Sequence, residues 1–192
     1  IISEFGTWGL PSIDKIKQYY NGAPEWFENK GDDTHKEDYK SPLNAEINFK
    51  KFNLDKIFKD FDELSSISRK RMLRSNKSLT QEMRNNPKIS GYVVTEFTDV
   101  EWETNGFLDY FRNPKFSDNQ VNHFNNELCI ITNIENHNFW EEETVSWDIT
   151  IVNNGSKEIC GKLFWNITEL ELKGEINVNL SKYYTRLDNV IT

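Results

Sequence analysis

An apolar, β-branched run that stops at a set of acids constrains this chain more than any other feature. It reads Gly91-Tyr92-Val93-Val94-Thr95-Glu96-Phe97-Thr98-Asp99-Val100-Glu101-Trp102-Glu103-Thr104-Asn105-Gly106. Residues 89–98 predict a short buried strand, and the acids begin where that strand should end. Upstream, residues 54–85 predict a helix with Leu64, Met72, Leu79 and Met83 on one face, ended by Asn86-Pro87. The first residues, Ile1-Ile2-Ser3-Glu4-Phe5-Gly6-Thr7-Trp8-Gly9, repeat the layout: a strand stub, one carboxylate, then a glycine-punctuated loop bearing an indole. Strand, long crossover helix, strand is the unit of a parallel sheet with helices outside it. In closed barrels of such units the reactive groups sit on loops leaving the C-terminal strand ends.

Between these segments, Ser12 to Tyr20 predicts a helix, preceded by Pro11 and closed by Asn21-Gly22. Residues 23–42 predict a long irregular loop, in which Trp26 and Phe27 either line a pocket or pack the loop down. The last third changes character. Segments 127–134, 144–152, 158–168, 174–180 and 184–191 read as strands, separated by turn signals such as Asn153-Asn154-Gly155-Ser156 and Lys173-Gly174. Apolar and polar residues alternate in Val145-Ser146-Trp147-Asp148-Ile149-Thr150-Ile151, as in a half-buried antiparallel sheet. Regular spacing of this kind predicts a small immunoglobulin-like β-sandwich, with Trp147 and Trp165 in its core. The polar stretch at 116–126 marks the expected boundary, giving an α/β portion at 1–120 and an all-β domain at 121–192.

The 192 residues carry 31 acids against 23 Lys and Arg, a formal charge of −8, which argues against a nucleic-acid partner. The densest basic run, Ser68 to Arg74, falls in the long helix and reads as a solvated face. No apolar stretch approaches a membrane span. Cys129 and Cys160 sit among hydrophobic neighbours and are expected to be buried free thiols. His35, His123 and His137 are scattered without a cysteine at ligand spacing, so no metal site and no cofactor is expected. Acidic charge and few cysteines suit a bacterial cytoplasm and a periplasm equally. The opening Ile1-Ile2 reads as mid-strand, so a piece of a longer polypeptide is expected.

The segments Ser3-Glu4-Phe5-Gly6 and Gly91 to Glu103 together resemble the last quarter of a family 2 glycoside hydrolase, the family of β-galactosidases, β-glucuronidases and β-mannosidases. Asn105-Gly106-Phe107-Leu108-Asp109-Tyr110-Phe111-Arg112-Asn113-Pro114-Lys115 is similar to that family's passage from barrel strand eight into the last barrel helix. The resemblance implies the end of a (β/α)8 TIM barrel, strands seven and eight, followed by an immunoglobulin-like β-sandwich. It implies Glu4 as the catalytic nucleophile of a retaining β-glycosidase. Such an enzyme needs a second carboxyl group about 5–5.5 Å away to protonate the leaving oxygen. Trp8, Thr95, Glu96, Asp99 and Trp102 are then the expected sugar-binding residues, with alternation leaving open whether Thr95 or Glu96 faces the lumen. Many members carry tryptophan where Thr95 falls. Asp109 and Arg112 read as an ion pair or loop brace.

The family's acid/base glutamate, in an Asn-Glu pair on strand four, has no counterpart here: Asn126-Glu127 lies past the barrel portion. A full barrel takes about 250 residues. The expected partners are therefore a carbohydrate substrate and the remainder of the barrel, with self-association through open strand edges. The rival expectation is a non-catalytic β-sandwich module that binds carbohydrate or protein through exposed aromatics, Trp140, Trp147 and Trp165 being the candidates.

Overall fold

The computed structural model describes residues 1–14, 42–100, 103–134, 138–180 and 183–191. Most of the expected 12–20 helix and of the 23–42 loop, with Trp26 and Phe27, lies outside them. Helix and sheet are mixed, and the second half of the chain forms antiparallel sheets. By contacts the chain divides into one unit of residues 1–79 and 91–121 and another of 80–90 and 122–192.

In the first unit β1 (Ile2–Phe5) pairs in parallel with β2 (Tyr92–Val94). Between them come α1 (Pro42–Lys51), a 3-10 turn at Leu54–Lys56 and α2 (Phe61–Arg84). The single helix expected over 54–85 is thus broken. Asn53 is left-handed at φ 53°, and α2 restarts at Asp60, whose Oδ1 accepts from the Glu63 N–H at 2.8 Å. Asp60 satisfies one of the amide donors that a helix start leaves open.

The inner face of α2 also differs from expectation. Leu79 is exposed, and the buried positions are Ser65, Met72, Asn76, Thr80 and Arg84. Ser65 and Asn76 on this face bond to the loop after β1, whereas Asn76 Nδ2 and Thr80 Oγ1 are buried without a hydrogen-bond partner. Thr7 Oγ1 donates to the Met72 carbonyl and to Asn76 Oδ1, both at 3.2 Å. Ser65 Oγ donates to the Leu10 carbonyl at 2.7 Å, and the Leu10 N–H donates to Ser68 Oγ at 3.1 Å. The loop after β1 is therefore stitched to the helix by directed bonds.

The strand expected over 89–98 is only three residues long. From Thr95 the chain turns away, the Thr95–Glu96 peptide is cis, and the next residues bond to a returning segment instead of a strand. Phe107 N–H donates to the Glu96 carbonyl at 3.2 Å and Leu108 N–H to the Phe97 carbonyl at 3.0 Å.

The linker expected near 116–126 contains a helix, α3 (Asp118–Asn125), with Phe124 2% exposed. Ser117 precedes it, and the Gln120 side chain folds back to accept from the Ser117 N–H at 3.0 Å. This is one half of a capping box; the Gln120 N–H donates to the Ser117 carbonyl and not to its hydroxyl.

In the second unit β3 (Leu128–Asn133), β4 (Trp147–Asn153) and β7 (Thr185–Ile191) form one sheet in that order. A hairpin, β5 (Ile159–Ile167) and β6 (Leu172–Leu180), forms the other. Strand alternation sends Ile149 and Ile151 to one face of β4, where they share a core with Leu163, Val178 and Leu180 of the hairpin. On the opposite face Val152 packs with its register partner Cys129 and with Ile131. There Asn85 Nδ2 donates to Asn133 Oδ1 (2.8 Å), Asn133 Nδ2 to Thr150 Oγ1 (3.0 Å), and Thr150 Oγ1 to Asn85 Oδ1 (2.6 Å). The three side chains close a ring.

Three expectations need correction here. Lys173-Gly174 is no turn: it lies inside β6, where Gly174 leaves room for the Trp165 ring on the paired strand. The turn is the 3-10 segment Thr168–Leu170, followed by Glu171 at φ 54°. Both thiols are free, but only Cys129 is buried; Cys160 is exposed on the outer face of β5, beside Asn179 Oδ1 at 3.2 Å. Trp147 and Trp165 are half-buried and not fully enclosed.

Candidate functional site

Parallel pairing makes the two strand ends coincide. Ile2 stands opposite Tyr92 and Phe5 opposite Val94, and the Thr95 N–H donates to the Phe5 carbonyl at 2.7 Å. Beyond that bond the chains stay in contact because residue 6 is glycine. A Cβ there would overlap the Thr95 carbonyl. The same parallel register brings the carboxylate of β1, Glu4, and the one after β2, Glu96, to the same end of the sheet.

Glu4 is exposed, Thr95 and Glu96 are half-buried, and Trp8 is 43% exposed. Trp102 lies outside the described residues, as does Glu101. The Glu96 carboxyl is held above its ordinary range, first by desolvation, then by a hydrogen bond with Glu103 and the charges of Glu103, Asp99 and Glu4. Three neighbouring acids therefore act on Glu96 at this strand end. Glu103 is held in turn by Asn105 Nδ2, which donates to its Oε2 at 3.3 Å. A pair of carboxyls sharing a hydrogen bond can store a proton, and an exposed carboxylate beside it can meet an external electrophile.

Asp99 sits differently. Its side chain has no exposure, and its Oδ1 accepts from Lys115 Nζ at 2.5 Å and from the Gly106 N–H at 3.0 Å. Burial pushes Asp99 up to about 6, against the pull of Lys115, while burial lowers Lys115 against the pull of Asp99. Asp99 Oδ2 is buried without a hydrogen-bond partner. The structure thus places Asp99 beneath the surface, as part of the loop's framework.

Asp109 caps the following turn: its Oδ1 accepts from the N–H groups of Phe111 and Asn113, each at 2.9 Å. The brace runs to Asn113, and Arg112 supplies the left-handed backbone of the turn at φ 64°.

Sequence reasoning missed Glu103 and Lys115 as site residues. Glu103 stood in plain view, two residues past Glu101 and seven past Glu96, close enough for a hairpin loop to return it. Lys115, sixteen residues from Asp99, carried no local signal. Among the described residues no group of three or more His, Cys, Asp or Glu side chains is arranged to hold a metal ion, and no helix is long and apolar enough to cross a membrane. The chain matches no family model, no curated protein and no solved structure.

Proposed function

We propose that this chain is the C-terminal part of a retaining β-glycosidase of the family 2 kind. On this reading β1 and β2 are the last two strands of a (β/α)8 barrel, and β3 to β7 form the immunoglobulin-like sandwich that follows it in the chain. One observation carries the proposal. Two adjacent parallel strands, joined through a long helix, bring carboxylates from both of their C-terminal ends within electrostatic range.

In this role Glu4 attacks the anomeric carbon and the leaving oxygen takes a proton from a carboxylic acid on another strand of the complete barrel. Water then cleaves the glycosyl ester with that second residue as base. Trp8 and Trp102 offer indoles to the apolar face of a pyranose. Thr95 and Glu96 offer hydroxyl and carboxyl partners to sugar hydroxyls, and Asp99 fixes their loop from below. The 192-residue chain, lacking the acid/base residue, is expected to be silent alone.

Antibodies to this chain identify the natural polypeptide, and that polypeptide tests the reading with aryl β-glycosides. The expected result is turnover, abolished in Glu4→Gly and restored by azide as the α-glycosyl azide. Azide then stands where the carboxylate stood, so the product reports the nucleophile directly. Turnover undiminished in Glu4→Gly would overturn the assignment.

The second reading, a carbohydrate- or protein-binding module, is favoured by Trp140, which is 83% exposed. It predicts polysaccharide affinity that survives Glu4→Gln and is lost in Trp140→Ala.

A further inference from the structure

Glu4 lies in β1 and Glu96, Asp99 and Glu103 lie on the chain after β2, and a separate loop leaves each strand. Both loops converge on one backbone atom. The Thr104 carbonyl oxygen accepts from the Gly9 N–H at 3.1 Å and from Lys115 Nζ at 2.9 Å. A carbonyl has two lone pairs, and each loop supplies a donor for one of them. The same ammonium binds Asp99 Oδ1, which also holds the Gly106 N–H. Lys115 is itself anchored, its N–H donating to the Phe107 carbonyl at 2.9 Å. Its side chain is 2% exposed, so these bonds form away from competing water.

We propose that Lys115 is the positioning residue of this strand-end site, its ammonium locking the loop that follows β1 and Glu4 and the Glu96 loop into one arrangement through Asp99 and the Thr104 carbonyl. A lysine suits this post. Its ammonium is a point charge with rotatable donors, able to serve a carboxylate and a carbonyl that lie in different directions. An ordinary buried ion pair would hold the β2 loop alone. The shared carbonyl extends the hold to Gly9, five residues beyond Glu4. Gly9 is buried, and glycine lets the loop lie this close to α2, since a Cβ there would press on Met72 Sδ at 2.8 Å. That these loops frame a sugar site rests on the function proposed above; the lock between them does not.

Amide hydrogen exchange on the unmodified 192-residue chain tests the lock. Burial lowers the pH at which Lys115 gives up its proton. As pH rises beyond the range in which Asp99 ionises, Gly9 and Gly106 should therefore lose protection faster than the amides of α2. In Lys115→Met the two glycine amides should exchange about tenfold or more faster relative to α2, the scale of losing a hydrogen bond to a charged group. Lys115→Arg should recover part of that protection. Gly9 and Gly106 tracking α2 at every pH would overturn the proposal, and this arm needs no variant to fold.

In the longer polypeptide, Lys115→Met should lower kcat on aryl β-glycosides far more than it changes KM. Coupled exchange with no Glu4-dependent turnover in any longer polypeptide would sink the glycosidase reading and leave the lock standing. Glu4-dependent turnover with uncoupled exchange would sink the lock alone.

Discussion

The two units are held by different forces. In the second, the buried residues are mainly aliphatic: Ile131, Ile149, Ile151, Val152, Leu163, Val178 and Leu180, drawn from strands that alternate inward and outward. In the first, Ser65, Asn76, Asp99, Thr104 and Asn105 are buried beside Ile13, Phe49, Met72 and Phe116. Apolar burial is non-directional and tolerates small shifts. Buried polar groups demand set partners, and they cost most when one partner is lost. The antiparallel unit is therefore built to persist, while the parallel unit is built to hold side chains in fixed directions.

The largest break should come from Lys115→Met. It leaves Asp99 buried without its cation, a change that costs about 3–5 kcal/mol. Denaturant unfolding followed by site-resolved exchange should show the loss in residues 1–79 and 91–121 and little in the strands of the other unit. The reverse contrast should come from Ile151→Ala, which removes a side chain 2% exposed from the shared core. Its expected cost is about 2–5 kcal/mol, confined to the second unit. A uniform loss across both units in either variant would mean the two do not unfold separately.

The two units should also differ in their response to pH. Asp99 is raised to about 6 from 3.8 and Glu96 is raised as well, so the folded first unit binds protons that the unfolded chain has released. Stability from Asp99 is present below about pH 4 and is lost as pH rises through about 6, and Glu96 acts in the same direction. Exchange protection near Asp99 should decline over that window, and Asp99→Asn should flatten the decline. Arg186, raised by Asp188 and Asp148, titrates far above it.

The smallest effect is expected at Lys162, whose ammonium meets Glu175 at 2.6 Å with both side chains about half exposed. Lys162→Ala should change the second unit's stability by roughly 0–1 kcal/mol, and by less in added salt.

This contrast also explains what could be read from the sequence. The strands of the second unit were legible because aliphatic residues at every second position leave a period-two pattern: 144–152 and 184–191 fall within a few residues of β4 and β7. The turn assigned to Lys173-Gly174 failed because glycine served there to admit the Trp165 ring, a cross-strand need with no local mark. In the first unit the carboxylates were legible as strand-end residues. Their supports were not. The face of α2 was sought among Leu64, Met72, Leu79 and Met83; Met72 is buried, but Ser65 and Asn76 also turn inward, to the Leu10 carbonyl and the Thr7 hydroxyl. Lys115 follows a proline in a polar stretch, and only the folded loop brings it to Asp99 and Thr104.

The ring formed by Asn85, Asn133 and Thr150 has a consequence for the history of this chain. Each member donates to the next and accepts from the last, so replacing any one strands a donor on one side and an acceptor on the other. Intermediate sequences with one changed member would be penalised, and sequences with all three exchanged for apolar residues of matching shape would not. Positions 85, 133 and 150 should therefore be inherited as a block among descendants of the same ancestor, substituting together or not at all.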